Sequence, residues 1–160
     1  MLSFGSLASF ILVGCAISAR AETHTIEFVN NCGFGTPILE QNGNVLSTGA
    51  PFTINGPLID AIAYLQTVAG NCGLEGQGCT IIVINLINPT SPGTNSNVSI
   101  SLTPPAAFSV TTGYGFFNGC DGEGADCTNA NCPAAETNGI VPVNPPCATD
   151  NVNLAITFCD

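Results

Sequence analysis

The chain has 160 residues, eleven Asp or Glu and one Lys or Arg, which gives a formal net charge of −10 at pH 7. A protein with almost no cations cannot neutralise phosphate groups, so nucleic-acid binding is excluded, and anionic membrane surfaces repel it. Salt bridges cannot stabilise such a fold. We expect apolar burial, hydrogen bonds and disulfides to do so.

Residues 1–21 have the features of a secretory signal peptide, which is removed on export. An apolar run from Leu7 to Ile17 precedes a small-x-small cleavage site, Ala19-Arg20-Ala21. The run is too short to cross a membrane. We expect a secreted, extracellular protein whose mature chain, residues 22–160, is a single disulfide-rich domain with a core of moderate size.

Cys15 leaves with the predicted signal peptide, and eight of the nine cysteines remain. An even number of cysteines in an exported chain indicates disulfides. A zinc site is disfavoured because the one histidine, His24, lies near the new amino terminus, where we expect the chain to fray. The remaining cysteines are Cys32, Cys72, Cys79, Cys120, Cys127, Cys132, Cys147 and Cys159.

Four patterns in the first half of the mature chain indicate secondary structure. From Thr23 to Asn30 polar and apolar residues alternate, which predicts a strand. Asn42-Gly43, inside the segment Ile38–Leu46, indicates a hairpin with a type I′ turn. A short strand is expected at Phe52–Ile54. The segment Leu58–Val68 is ambiguous, because its apolar residues fit a helical face while a strand fits them less well.

The second half contains three strand patterns and a glycosylation signal. Thr80–Ile87 is β-branched and apolar, typical of a central strand buried on both faces. In Val98–Leu102 apolar residues alternate with serines, which predicts a strand with one solvated face. Asn151–Phe158 places its apolar residues on one face and predicts the closing strand. Asn97 begins the sequon Asn97-Val98-Ser99 for N-glycosylation.

The stretch Thr112–Cys132 holds five glycines, three cysteines and three aromatic residues. So many glycines exclude a regular helix because of their backbone entropy. We expect a disulfide-held loop that presents aromatic rings and carboxylates to solvent, which is the chemistry of sugar recognition. Trp is absent, so Tyr and Phe have to stack on the sugar, and at least one Phe of the stretch is expected in the core. The aromatic candidates are Tyr64, Tyr114, Phe116 and Phe117.

Six motifs run through the mature chain: Phe28–Gly35, Asn44–Gly49, Ala61–Thr67, Ala107–Val110, Asn118–Gly122 and Thr149–Cys159. Together they resemble the small secreted glycan-binding lectins of mushrooms, also called fungal glycopeptides. The resemblance implies a strand-dominated α+β fold, with a single antiparallel or mixed sheet of about five strands flanked by short helices and loops. It also implies a strand for the second half of Leu58–Val68, pairing of two copies through sheet edges, and binding of complex glycans without catalysis.

Three further motifs, Val29–Cys32, Ala125–Thr128 and Cys132–Ala134, together with the final cysteine, are weakly similar to thaumatin-like proteins. That resemblance implies an alternative fold, a minimal β-sandwich, and alternative functions, glucan binding or weak glycosidase activity. The chain lacks the long cysteine-rich insertion and the basic residues of that family. A structural secreted protein without a ligand is the third alternative.

The residue types present disfavour catalysis. One histidine and no Lys in the mature chain leave little scope for a Ser-His pair or for Lys chemistry. A carboxylate pair for glycoside hydrolysis remains open, and so does Ca²⁺ binding by Asp121, Glu123 and Asp126. We expect neither an enzyme nor a cofactor or metal. The acids that remain open for hydrolysis are Asp60, Asp121, Glu123, Asp126 and Asp150.

The predicted site is the loop Gly113–Asp126, in which Tyr114 stacks on a complex glycan and polar neighbours bind its hydroxyl groups. Glycines let the backbone approach a ligand closely, and nearby disulfides limit the entropy lost on binding. The predicted glycan-binding residues are Tyr114, Phe117, Asn118, Asp121, Asp126 and Asn151. The predicted disulfides are Cys32–Cys159, Cys72–Cys79, Cys120–Cys127 and Cys132–Cys147.

Overall fold

The computed structural model describes residues 21–68, 71–138, 140–142 and 144–160. The predicted signal peptide lies outside these residues, except for Ala21. In the part of the chain that the structure describes, the one helical element is a single 3₁₀ turn, Leu74–Gly76. The strands are β1 (Thr23–Asn30), β2 (Thr36–Gln41), β3 (Asn44–Ser47), β4 (Phe52–Asn55), β5 (Leu58–Gln66), β6 (Ile81–Leu86), β7 (Asn97–Ser101), β8 (Thr112–Phe117), β9 (Gly124–Cys127), β10 (Ala135–Glu136) and β11 (Asn153–Phe158).

The strands form two mixed sheets. One has five strands in the order β4-β1-β11-β8-β9, and the other has six in the order β10-β7-β6-β5-β2-β3. The prediction of one sheet flanked by short helices is therefore wrong. The strands are divided between two sheets, and the stretch predicted to be a loop adds β8 and β9 to the one that contains β1 and β11. Each sheet can bury its apolar face against the other without a layer of helices.

The first and last long strands lie side by side at the centre of the five-stranded sheet. β1 and β11 run parallel, and Ile26 is paired with Leu154. β8 runs antiparallel to β11 on its other side, with Ile156 opposite Tyr114. The alternation in the closing segment therefore correctly predicts a strand with one buried face, because Leu154 and Ile156 are fully buried.

The main core lies between the two sheets. It joins Ile26 and Leu154 of the five-stranded sheet to Leu39, Ile82 and other residues of the six-stranded one. A second, smaller cluster lies on the outer face of the six-stranded sheet, where the loop closed by the Cys72–Cys79 disulfide covers Tyr64. The ambiguous segment becomes β5 because it is buried from both sides, which satisfies its apolar residues better than a one-sided helix would.

Two other local predictions are confirmed. Asn42 and Gly43 have φ angles of 52° and 76°, as the type I′ turn between β2 and β3 requires. β6 is a central strand with β5 and β7 on its two sides. A bulge interrupts the pairing of β5 and β6 between Leu58 and Ala61, and it gives Asp60 a φ of 53°.

The amino terminus of the described chain is held in place rather than frayed. His24 is fully buried, and its ring nitrogens lie 2.7 Å from the Val152 carbonyl oxygen and 3.1 Å from Glu22 Oε1. Asn151 accepts a hydrogen bond from the Thr23 backbone N–H at 3.0 Å. These contacts fix the start of β1 against the start of β11, and they overturn the expectation of a loose end at His24.

Four disulfides are present, and two match the predicted pairs. Cys32–Cys159 and Cys72–Cys79 are as predicted, whereas the other four cysteines pair as Cys120–Cys147 and Cys127–Cys132. The predicted Cys120–Cys127 bond is impossible in this hairpin, because Cys120 lies in the turn and Cys127 lies at the far end of β9. Strand residues rise about 3.3 Å each, so the two Cα atoms lie beyond the roughly 7 Å that a disulfide can bridge.

Within the described residues, no helix is long and apolar enough to cross a bilayer.

Candidate functional site

The stretch that the sequence predicts to be a loop is a hairpin of β8 and β9 at one edge of the five-stranded sheet. Successive side chains of a strand point to opposite faces. In β8, Tyr114 and Phe116 belong to the core, so Gly113 and Gly115 lie on the outer face. At these two positions the outer face of the hairpin therefore consists of backbone, without side chains.

Gly115 and Gly124 are cross-strand partners in the hairpin, but the space around them differs. A Cβ at Gly115 would meet one atom, the Glu123 carbonyl oxygen at 4.0 Å. A Cβ at its cross-strand partner Gly124 would collide with the carbonyl oxygen of Tyr114. Gly124 is thus needed for close pairing of the strands, whereas Gly115 leaves open space above the sheet.

That open space is part of a groove of about 270 Å³ on the hairpin. The Tyr114 ring points into the core, so that residue contributes backbone to the groove. The polar side chains are the exposed carboxylates of Glu123 and Asp126. The volume is near the lower end of small-ligand sites, about 300 Å³, so it fits part of a glycan rather than a large ligand. The groove is lined by Tyr114, Gly115, Gly122, Glu123, Gly124, Ala125 and Asp126.

The Asp126 carboxylate forms one wall of the groove. It lies directly over Gly113, in the space that a side chain at that position would occupy. Partial burial, and then the charge and hydrogen bond of Asp160, raise the pKa of the Asp126 carboxyl above its ordinary 3.8. Asp160 therefore lies near this wall of the groove.

The Tyr114 ring is not available to a ligand. It is 6% exposed, its hydroxyl donates a 2.6 Å hydrogen bond to the Val98 carbonyl oxygen of the opposite sheet, and its ring packs edge-on against Phe116. Burial raises the pKa of the Tyr114 hydroxyl to about 12. The predicted stacking role does not fit this position, because the alternation of β8 turns the ring inwards.

The two neighbouring phenylalanines divide as expected for an extended strand. Phe116 is buried in the core, which confirms the prediction that at least one Phe is a core residue. Phe117 is half-buried and alternates with it, so it shares the outer face with Gly115. Phe117 is thus the aromatic residue of β8 that lies beside the open floor.

The other predicted contacts are spread around the hairpin. Asn118 and Asp121 are exposed in its turn, where Asp121 Oδ2 accepts a hydrogen bond from the Gly119 backbone N–H at 3.1 Å. Asn151 precedes β11 and lies against the start of β1. Its side-chain oxygen accepts hydrogen bonds from the Thr23 backbone N–H and from Asn88 Nδ2. None of the three lines the groove. Of the predicted residues, Tyr114 (through its backbone) and Asp126 line the groove, whereas Phe117 shares the outer face of β8 without lining it.

A second depression, of about 260 Å³, lies on the outer face of the six-stranded sheet. Its floor includes Glu40, which is 4% exposed and accepts a 3.1 Å hydrogen bond from the Tyr64 hydroxyl. Burial, and then the charge and hydrogen bond of Glu40, raise the pKa of Tyr64 to about 12, so this hydroxyl remains a donor. The lining is Glu40, Asn42, Gly43, Asp60, Ile62 and Glu75.

Glu40 and Glu75 were not predicted, and Asp60 was named only among the acids open for glycoside hydrolysis. Glu40 follows Leu39 and precedes Gln41 and Asn42, a pattern that gives no sign of a buried carboxylate. That pattern does not reveal that β5 places Tyr64 beside it, because the two residues are 24 positions apart. Tyr64, a predicted aromatic candidate, lies under the second depression and not in the hairpin.

Metal binding finds no support in the described ranges. No group of three His, Cys, Asp or Glu in them is arranged to hold a metal ion, which includes Asp121, Glu123 and Asp126. The sequon residue Asn97 is exposed at the start of β7. Its accessibility suits glycosylation.

Comparison with known proteins gives a likeness in fold. No protein-family model matches the chain, and no curated protein matches it either. Among solved structures, the crystal structure of the protein elicitor MoHrip2 from Magnaporthe oryzae is similar, with a TM-score of 0.50 and 14% sequence identity. The match covers 88% of this chain and 100% of that one. At this identity the likeness concerns the fold alone.

Proposed function

We propose that the protein is a secreted, non-catalytic lectin that binds complex glycans at the outer face of the β8–β9 hairpin. The observation that carries this proposal is the open floor at Gly115, beside a half-buried Phe117 and the exposed carboxylates of Glu123 and Asp126. A sugar ring needs an apolar surface for its C–H face and polar groups for its hydroxyls. The hairpin offers both, together with backbone that a ligand can approach closely.

The covalent frame supports this role. The Cys120–Cys147 disulfide fixes the turn of the hairpin and the Cys127–Cys132 disulfide fixes its far end. A groove held at both ends changes little when a ligand binds, so less conformational entropy is lost. Four disulfides form in an oxidising compartment, which agrees with an extracellular location, and secretion itself is part of the proposal.

The carboxylates favour binding over hydrolysis. Glycosidases hold their two carboxyl groups about 5–5.5 Å or 6.5–9.5 Å apart, on either side of the scissile bond. The carboxylate that acts on Asp126 is that of Asp160, which does not line the groove, so these two carboxyl groups do not lie on either side of a bound sugar. We therefore assign Asp126 a role in hydrogen bonding to the ligand.

The test is a Gly115→Val variant. Val suits a strand, and the space above Gly115 accepts a side chain, so the variant should fold while its side chain fills the groove. Thr53→Val is the matched control, since Thr53 is exposed on β4 at the other edge of the same sheet. A glycan array should show binding by the wild type and the control, and none by Gly115→Val.

Two results would contradict the proposal. The first is equal array binding by a folded Gly115→Val variant, which would place the site elsewhere or show that the groove is not used. The second is steady release of reducing sugar from a bound glycan, abolished by Asp126→Asn or Asp121→Asn, which would make the protein a glycosidase.

A further inference from the structure

The groove on the β8–β9 hairpin has carboxylates along its β9 side. Glu123 and Asp126 line the groove, and both are exposed. Asp160 lies near them, because its charge and hydrogen bond act on the Asp126 carboxyl. A ligand that lies over Gly115 therefore has acidic side chains beside it on this side.

The strand register places a further carboxylate on the other side of Gly115. Ala155 of β11 is paired with Gly115, and Glu27 of β1 is paired with Ala155. Residues paired in this way point to the same face of a sheet, so the three form one row on the outer face. Neighbouring strands are about 4.8 Å apart, which puts the Glu27 Cα roughly 10 Å from that of Gly115. Glu27 is exposed, and the short Ala155 side chain between them leaves the row low.

Among the described side chains, no Lys or Arg offsets these charges. Arg20 is the one Lys or Arg of the chain, and it lies in the predicted signal peptide. His24 is the one histidine, and it is fully buried, with its ring nitrogens directed at the Val152 carbonyl oxygen and at Glu22. An anionic group over the open floor would thus have carboxylates on both sides and no basic side chain to pair with.

Carboxylates act in opposite ways on the hydroxyl groups and on the acidic groups of a glycan. A hydroxyl donates a hydrogen bond to a carboxylate, and such a charge-assisted bond is stronger than a neutral one. Two negative charges about 4 Å apart repel each other, which lowers affinity about fivefold even in bulk water. Like-charge repulsion of this kind is one way in which a binding site rejects a wrong ligand. The charges around the groove therefore favour one class of glycan over another.

We infer that the groove selects uncharged glycans over anionic ones, and that Glu27, Glu123 and Asp126 determine this specificity. The inference rests on the lectin function proposed for the groove and names the class of glycan that it takes. The preferred ligands consist of hexose and N-acetylhexosamine units. Glycans that carry uronic acid, sialic acid or sulfate at the floor are rejected.

The experiment compares two derivatives of the neutral glycan that binds best on the array, titrated into the full mature protein in a calorimeter. In the first derivative the primary hydroxyls are oxidised to carboxylic acids, and in the second these acids are converted to amides, which have nearly the same size but no charge. We expect the acid to bind at least about fivefold more weakly than the amide. The difference should shrink in high salt, because salt screens charges that are exposed to solvent.

Three variants test the residues that are assigned this specificity. Glu123→Gln and Asp126→Asn each remove one exposed charge and keep the size of the side chain, so they should fold. Both residues line the groove, so the readout is the ratio of the affinities for amide and acid, which each variant should lower and the double variant should lower most. Glu27→Gln should lower it less, because Glu27 is farther from Gly115.

Asp60→Asn is the matched control, since it removes one exposed carboxylate from β5 of the other sheet. Asn tolerates the positive φ of Asp60, so this variant keeps the local backbone. Its ratio of amide to acid affinity should equal that of the wild type, because the removed charge lies far from the groove. A ratio lowered as much as in Glu123→Gln would mean that net charge alone decides, and it would overturn the assignment to the groove.

The outcomes separate the inference from the function on which it rests. Absence of glycan binding, or equal binding by a folded Gly115→Val variant, overturns the lectin function and the inference with it. The inference alone is overturned if Gly115→Val abolishes binding but the wild type binds acid and amide equally well. It is also overturned if the folded double variant keeps the wild-type ratio.

Discussion

The two depressions of this protein are similar in size, about 270 and 260 Å³, but they are made in opposite ways. The hairpin groove exists because side chains are absent: Gly115 leaves its space empty and the polar groups around it are exposed. The cavity on the other sheet exists because a carboxylate is present where apolar residues are usual, with Glu40 buried beside Tyr64. The polar groups of the open groove are exposed to solvent, whereas the buried carboxylate depends on hydrogen bonds such as the one from Tyr64.

This difference also decides which residues around each site are structural. Tyr114 lies beneath the hairpin groove and contributes to the core, while Tyr64 lies beneath the second cavity and holds its carboxylate. Changes under the groove should therefore affect stability, and changes at its floor should affect binding.

Removal of the Tyr114 ring should have the largest effect. Tyr114→Ala leaves a cavity in the main core and removes the hydrogen bond to Val98, so we expect a loss of about 3–5 kcal/mol in the free energy of unfolding. Tyr114→Phe removes only the hydroxyl and should cost about 1 kcal/mol. Denaturant unfolding with intact disulfides measures both. A Tyr114→Ala variant as stable as the wild type would show that the ring is not part of the core.

The two paired glycines should respond oppositely to the same substitution. Gly124→Ala forces a Cβ against the backbone of β8 and should lower the stability by about 1–3 kcal/mol. Gly115→Ala has room, and it should be neutral or stabilising by up to about 1 kcal/mol, because Ala restricts the unfolded chain more than Gly. Thermal unfolding of the two variants side by side measures the difference. Equal destabilisation would contradict the open floor at Gly115.

The carboxylate of the second cavity should depend on its tyrosine. Tyr64→Phe removes the one hydrogen bond that the described residues give to Glu40, and leaving the buried carboxylate without it should cost about 1–3 kcal/mol. Denaturant unfolding of the two proteins side by side measures this loss. A Tyr64→Phe variant as stable as the wild type would contradict the hydrogen bond to Glu40.

The smallest effect concerns Asp126 at the wall of the groove. Its pKa is raised in the folded state, so the folded protein holds this proton more tightly than the unfolded chain does. The resulting stabilisation is complete below pH 3.8 and is lost as the pH rises through the raised value. Asp126→Asn should remove this pH-dependent loss of stability. The loss should be less than about 1 kcal/mol, because the group is exposed. A pH series of unfolding curves in which the variant loses as much stability as the wild type would contradict the Asp126–Asp160 contact.

Local sequence patterns allowed several elements to be predicted. Strand β1, the closing strand β11, the central strand β6 and the Asn42-Gly43 turn each follow from a local pattern that tertiary structure does not override. The hairpin of β8 and β9 could not be predicted in this way. Its glycines indicate irregular backbone when the sequence is considered alone, but here they are required by close strand pairing at Gly124 and by the empty floor at Gly115.

The sequence predicted ligand contacts in the segment that forms the hairpin, and it assigned Tyr114 to the wrong face of that segment. Without knowing that the stretch is a strand, the sequence does not show which of Tyr114, Phe116 and Phe117 points outwards. The two exchanged disulfides have the same origin, since their pairing depends on where the hairpin turns. Glu40 could not be found at all, because its significance depends on a contact with Tyr64 across two strands.

Nuclear magnetic resonance can show whether a glycan binds at the floor of the β8–β9 hairpin, as we propose. The isotopically labelled protein is titrated with the best glycan from the array, and the backbone amide signals are followed. We expect the shifts to concentrate at residues 113–117 and 123–126, while those of Glu40 and Tyr64 do not move. Shifts confined to the second cavity, or absent from the hairpin while the glycan binds, would contradict it.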